Sequence, residues 1–174
     1  MKYKYLILFI FSLTAFLRTE ANKKVGINWM TIAEVEEKMK TEPKKILVDV
    51  FTGWCHWCKV MDKKTYRNTD VINYLNENYY CIKFNAEQKQ EIEFGGVVYY
   101  KSSGRRTHDL ASDWLNGQIS YPTTVFFNNQ FQEAKQVPGY LNVEEMLLIA
   151  SYFQEEKEKV MSFAAYKSMK NQKK

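Results

Sequence analysis

Two cysteines separated by two residues, Cys55 and Cys58, close an apolar run in a chain of 174 residues. The stretch reads Val48-Asp49-Val50-Phe51-Thr52-Gly53-Trp54-Cys55-His56-Trp57-Cys58-Lys59. It has the pattern of a strand that stops at a Gly-Trp turn and delivers both sulfurs to the start of a helix. Backbone N–H groups point outward there, and the helix dipole favours negative charge. Thiolate is the reactive form of cysteine, and this setting lowers its pKa. Cys55, first in the motif and expected to be partly exposed, suits an attacking thiolate. Cys58, one turn deeper, suits a resolving thiol that releases a mixed disulfide. The chemistry implied is thiol–disulfide exchange through a Cys55–Cys58 pair, with no further cofactor.

Other uses of the pair fit less well. Structural zinc takes about four ligands, and one Cys-x-x-Cys supplies two. His56, His108 and Cys81 stand at no accepted finger spacing, so no metal is expected. Covalent haem attachment needs histidine directly after Cys58, where Lys59 stands instead. Cys81, the third cysteine, lies in Tyr79-Tyr80-Cys81-Ile82 and reads as a buried, inert thiol. A bond from it to either member of the pair would disable the pair.

The elements that must position these sulfurs follow from pattern. Ile46 to Phe51 is apolar except for Asp49, as in a central strand buried on both faces. A lone carboxylate there is costly to bury ionised, so its pKa should rise. Asp49 could then take the proton of Cys58 when that thiol attacks; a purely structural pairing of the carboxylate is the other reading. Before the strand, Thr31-x-x-Glu34 is a capping box for a helix that ends before Pro43. After the cysteine helix, which runs to about Tyr66-Arg67-Asn68, Asn68 or Thr69 caps a second helix. Tyr80 to Asn85 forms the next strand. Gly95-Gly96 between Ile92-Phe94 and Val97-Tyr100 predicts a hairpin, and a helix spans about His108 to Asn116 with Gly117 beyond its end. Thr123 to Phe127 and Phe131 to Val137 read as an antiparallel pair turned at Asn128-Asn129. Asn142-x-x-Glu145 opens the last main helix. The rest, with Val160, Phe163 and Tyr166, reads as a helical extension fraying into terminal lysines. Strand–helix–strand units followed by a hairpin and a helix predict an α/β fold with a mixed central sheet between helices.

The formal charge of +5 is dispersed apart from the lysine-rich tail. No basic stripe is interleaved with stacking aromatics, which argues against nucleic acid as a partner. Lys2 and Lys4 precede the apolar run Leu6 to Leu17, and small or polar residues lead to Ala21, the pattern of a secretory signal over residues 1–21. The run falls short of the ~20 residues that span a bilayer, so export is expected, with an uncleaved anchor as the alternative. Residues 22–160 would form the domain and 161–174 its helical, lysine-rich tail.

From Ile46 to Ala150 the chain resembles the thioredoxin-fold family. The resemblance rests on Leu47-Val48-Asp49, on Trp54-Cys55-His56-Trp57-Cys58-Lys59, on Lys83 in the next strand, on Tyr121-Pro122-Thr123 and on Gly139. It is similar to exported thioredoxin-like thiol–disulfide oxidoreductases, and the Gly95-Gly96 hairpin is an insertion relative to the minimal fold. The resemblance implies that Lys83 lies near the buried Asp49 and that Pro122 is cis. The Tyr121-Pro122-Thr123 turn would then offer a backbone edge beside the disulfide, on which an extended substrate could pair. Where the family's cytoplasmic members carry Gly-Pro between the cysteines, His56-Trp57 stands here. A charged His56 would stabilise the Cys55 thiolate; a solvent-facing histidine of modest effect is equally consistent. Trp54 and Trp57 could form an apolar substrate rim, or Trp54 could simply pack.

These features imply a monomeric, exported disulfide reductase of protein substrates, served by a membrane-borne or thioredoxin-like electron donor. Oxidase or isomerase activity is the alternative within the enzyme class. A thioredoxin-like chaperone or binding module is the alternative outside it.

Overall fold

The computed structural model describes residues 26–172; the predicted signal segment lies outside the described residues. Elements follow in the order β1 (Trp29–Met30), α1 (Ile32–Met39), β2 (Lys45–Phe51), α2 (His56–Lys64), α3 (Thr69–Asn78), β3 (Tyr79–Asn85), β4 (Ile92–Phe94), β5 (Val97–Tyr99), α4 (Asp109–Trp114), β6 (Thr123–Phe127), β7 (Lys135–Pro138), α5 (Val143–Gln154), a 3-10 turn (Lys157–Lys159) and α6 (Phe163–Asn171). Five strands form one mixed sheet in the order β1-β3-β2-β6-β7. β2 lies at its centre, parallel to β3 and antiparallel to β6. This is the thioredoxin fold, with β4 and β5 as the predicted hairpin beside it.

Alternation along β2 sends its side chains to two different cores. Ile46, Val48 and Val50 join Val35 of α1, Leu110 and Trp114 of α4, and Phe131. Leu47 joins Met61 of α2, Val71 and Leu75 of α3, and Met146 of α5. Asp49, two residues beyond Leu47, therefore points to the α2 side. The hairpin closes the other core: the Phe94 ring meets Trp114 at 5.4 Å and Phe131 at 4.7 Å between centroids. His108 is fully buried and holds this region together. Its Nδ1 accepts the Leu110 N–H at 3.2 Å, which leaves Nε2 to donate to Gln90 O at 3.0 Å.

Helix starts follow the predicted caps. Thr31 and Asn142 make full capping boxes with Glu34 and Glu145, and Asn68 accepts from Asp70 and Val71. Such caps contribute about 1 kcal/mol each. Lys45 crosses to the far end of α5, where its Nζ donates to Phe153 O at 2.5 Å and Gln154 O at 3.1 Å. A cation there satisfies orphan carbonyls at the negative end of the helix dipole.

Three details go beyond or against the expectations. β1 was not anticipated: two residues give no periodicity to read. The strand expected from Phe131 begins only at Lys135, because the chain turns through Phe131 and Glu133 at positive φ (58° and 57°) and drops the Phe131 ring into the core. The C-terminal stretch is helical, as expected, but it does not continue α5 in a straight path. Glu156 at φ 53° ends that path, Ser162 caps a new helix, and Tyr166 of α6 is fully buried against α5.

Candidate active site

β2 ends at Phe51, and Thr52 O accepts the Cys55 N–H at 3.3 Å, closing the turn that contains Gly53 and Trp54. Cys55 is the N-cap of α2: its Sγ accepts the Cys58 N–H at 3.1 Å. The two cysteines form a disulfide with an S–S distance of 2.05 Å. A thiolate on Cys55 would sit where the unpaired N–H groups of the first helical turn point, which favours the anion.

Cys55 was expected to be partly exposed; it is 4% exposed. Trp54 and Trp57, one residue before it and two after it in sequence, are 67% and 56% exposed. Trp54 lies edge-on to Tyr121 at 6.0 Å, and Trp57 contacts Tyr140 at 5.5 Å and the exposed His56 at 5.7 Å. The Tyr121–Pro122 peptide is cis. Tyr121 Oη is within 3.1 Å of Thr107 Oγ1, so the segment after the hairpin reaches the rim of the site. Thr123 does not line that rim: it is 1% exposed, and its hydroxyl donates to Ser120 O at 2.9 Å. Its side chain is occupied in closing the turn.

Below the disulfide lies a charged cluster. Asp49 is 2% exposed and faces Lys83 across β3 and Thr124 across β6. Lys83 Nζ donates to Asp49 Oδ2 at 2.9 Å and also to Asp62 Oδ1. Burial pushes the Asp49 carboxyl above the ordinary carboxylate range, and the nearby Lys83 ammonium only partly offsets this. Burial works against the charge on Lys83, but the two carboxylates outweigh it and hold its pKa up. Cys58, Met61 and Asp62 fall three and four residues apart on one face of α2. Met61 packs against Leu47, and Asp62 reaches Lys83. Cys58 therefore shares the face of α2 that is turned towards Leu47 and Asp49.

Cys81 is buried, and burial pushes its thiol far up, as suits an inert core residue. Among the described residues no cluster of three or more metal-ligating side chains occurs, and His56, His108 and Cys81 are not brought together. Sequence reasoning did not anticipate Asp62, although its spacing four residues after Cys58 carried the signal.

A family model described as Thioredox_DsbH, protein of unknown function, DUF255, matches residues 9–171. The chain belongs to that family. Among curated relatives, spermatogenesis-associated protein 20 of Mus musculus is 32% identical over 60 residues, which are 34% of this chain and 8% of that protein. The thiol:disulfide interchange protein DsbD of Campylobacter jejuni (strain RM1221) is 20% identical over 114 residues, 66% of this chain and 17% of that protein. The chain thus spans less than a fifth of the length of the curated relatives it matches. A thioredoxin-fold protein from Helicobacter pylori superposes with a TM-score of 0.61 at 14% identity, covering 88% of this chain and 97% of that one. A DsbH oxidoreductase superposes with a TM-score of 0.50 at 16% identity, covering 84% and 94%. The structural likenesses carry the fold. This Thioredox_DsbH member has the thioredoxin fold and joins Cys55 to Cys58 in a disulfide at the start of α2.

Proposed function

We propose that this chain is an exported disulfide reductase of protein substrates. The observation that carries the reading is Cys55 at the N-cap of α2, with Cys58 in hydrogen-bond reach behind it. The Cys55 thiolate attacks a substrate disulfide; a Cys55–substrate bond forms and one substrate thiolate leaves. Cys58 gives its proton to Asp49 and attacks Cys55 Sγ, which breaks the mixed disulfide and releases the second substrate thiolate. Two electrons pass to the substrate, and the Cys55–Cys58 disulfide remains. A dithiol donor, membrane-borne or thioredoxin-like, must reduce that pair again.

Lys83 steadies the Asp49 charge. His56 adjusts the Cys55 thiolate. Trp54, Trp57, Tyr121 and the backbone at Pro122 receive an extended substrate strand. The thioredoxin-like setting, without a second oxidising pair, favours reduction over oxidation or isomerisation. DsbD of Campylobacter jejuni is a thiol:disulfide interchange protein, which supports protein thiols and disulfides as partners. The 1–21 segment supports export to the periplasm or beyond, with the protein acting as a monomer. No described helix is long and apolar enough to cross a membrane.

Insulin reduction with a dithiol donor tests the activity: wild type accelerates it and Cys55→Ser does not. Full activity in Cys55→Ser sinks the redox reading and leaves a binding module. Cys58→Ala traps substrates as mixed disulfides. Equilibration with glutathione decides direction: a potential near about −270 mV supports a reductase, and one near about −120 mV an oxidase. A mature N terminus at residue 22 in exported material tests the signal.

A further inference from the structure

Lys83 is held by more than carboxylates. Its Nζ lies 5.1 Å from the centre of the Trp29 ring, 5.0 Å from that of Phe51 and 5.4 Å from that of Tyr66. The rings come from three separate pieces of chain: β1, the end of β2, and the turn after α2. Trp29 pairs with Cys81 across the sheet, which places it one side-chain repeat from Lys83 on β3. Tyr66 meets Trp29 edge to face at 5.0 Å. Each ring presents negative quadrupole to the ammonium, and that attraction grows as water is removed.

We propose that Trp29, Phe51 and Tyr66 are positioning residues: they hold the Lys83 ammonium against Asp49 and so set the pH at which Asp49 accepts the Cys58 proton. This rests on the proton-acceptor role proposed for Asp49. The physical need for a cage is clear from the two carboxylates. Asp62 is part-exposed and Asp49 is buried, yet both bind Lys83. A lysine free to move would follow Asp62 outward, because an ammonium is strongly hydrated. Asp49 would then be left buried without its counter-charge. The rings replace lost hydration on the inner side and keep the ammonium between the acids.

The titratable groups beside Lys83 and Asp49 are Asp62 from α2, Tyr66 just beyond it, and Cys81 from β3, while Cys58 is held in the disulfide in the oxidised protein. β1 and β6 contribute no charged group. Burial pushes Tyr66 and Cys81 well above their usual ranges, so both stay neutral at physiological pH.

The direction of one titration separates this role from a merely structural one. In oxidised protein labelled with carbon-13 at aspartate carboxyls, the Asp49 signal is assigned by its loss in Asp49→Asn and followed with pH. Trp29→Leu and Phe51→Leu remove a ring without adding charge. The cage predicts that the midpoint moves up in both, leaving about three- to tenfold less Asp49 carboxylate at a given pH below the midpoint. Trp29→Phe, which restores a ring, should stay near wild type. A loosened core would instead admit water and move the midpoint down towards the ordinary range. An unmoved or lowered midpoint in the leucine variants overturns the cage. The acceptor role is read separately, from the rate at which Cys58 resolves a preformed Cys55 mixed disulfide. If Asp49→Asn resolves as fast as wild type at every pH, that role fails, and with it the catalytic meaning of the cage. A slowed Asp49→Asn with raised midpoints in the leucine variants supports both.

Discussion

Replacing Asp49 by asparagine should make the oxidised protein more stable at neutral pH. Asp49 is 2% exposed; Lys83 Nζ donates to its Oδ2 at 2.9 Å, and the nearby Tyr66 hydroxyl only weakly favours its charge. One hydrogen bond to a charged group contributes about 1.5–3 kcal/mol, whereas removing a carboxylate from water costs several kcal/mol even after relaxation. The balance falls against the ionised acid by an amount on the order of 2 kcal/mol. Asparagine fills the same volume without the charge. Lys83 is not stranded by the change, since it keeps Asp62.

The sign with pH follows from linkage. The folded pKa of Asp49 is raised, so between the unfolded value of about 3.9 and the folded one the native state holds a proton that the unfolded chain has lost. Native stability therefore falls as pH climbs through that window and levels off above it. In urea titrations of oxidised protein, wild type and Asp49→Asn should differ little near pH ~4. They should diverge as pH rises, reaching a gain of about 2 kcal/mol for the variant on the plateau. A gain that is the same at every pH, or a variant less stable at neutral pH, would refute the reasoning.

Two further outcomes follow from burial. Cys81 should stay unlabelled by a thiol reagent in the native protein at mildly alkaline pH and react at once in denaturant, because burial pushes its thiol far up. Tyr166→Phe should cost about 1–2 kcal/mol in urea unfolding, since its hydroxyl donates to Glu155 Oε1 at 2.8 Å and lies 2.9 Å from Ser151 Oγ; Tyr166→Ala should cost about 3–5 kcal/mol and release α6.

Most of the sheet could be read from the chain because β2 and β3 are apolar runs interrupted only by Asp49 and Lys83 in their interiors, β6 is a β-branched and aromatic run, and the helices announce themselves by caps at Thr31, Asn68 and Asn142. What could not be read were departures with no periodic signature. Phe131 looks like a strand residue by type, yet it enters the core from a loop at positive φ. That the C-terminal extension is a separate helix with Tyr166 buried depends on a turn at Glu156, at φ 53°, that no sequence rule marks. At the site, Cys55, Cys58 and Asp49 were legible from type and spacing, and Lys83 and Pro122 from family resemblance. Thr123, next to Pro122, proves to be buried at the turn. Asp62 was overlooked though it lies on the helical face of Cys58, and Trp29 depends on a two-residue strand pairing that only three-dimensional register creates.

The rim around the disulfide is exposed in its side chains and tied down in its backbone. Pro122 O accepts the Gly139 N–H at 2.8 Å, and Thr65 Oγ1 donates to Leu141 O at 2.6 Å, so the Tyr140 segment is bound at both ends to buried groups. Tyr121 is fixed to Thr107, and the segment that bears Thr107 is anchored by fully buried His108. The insertion is thus a brace whose inner face completes a core and whose far end steadies the cis-proline turn. The rim is thus fixed, while Trp54 and Trp57 stay open and Cys55 is 4% exposed. On the proposed function, it also restricts the substrate. A disulfide on a broad, folded surface would meet the indole rings before the sulfur, whereas an extended strand can lie between them and pair beside Pro122. Selection would then come from substrate shape and local disorder, and the charge cluster beneath the disulfide would be left to govern the rate at which the substrate is released.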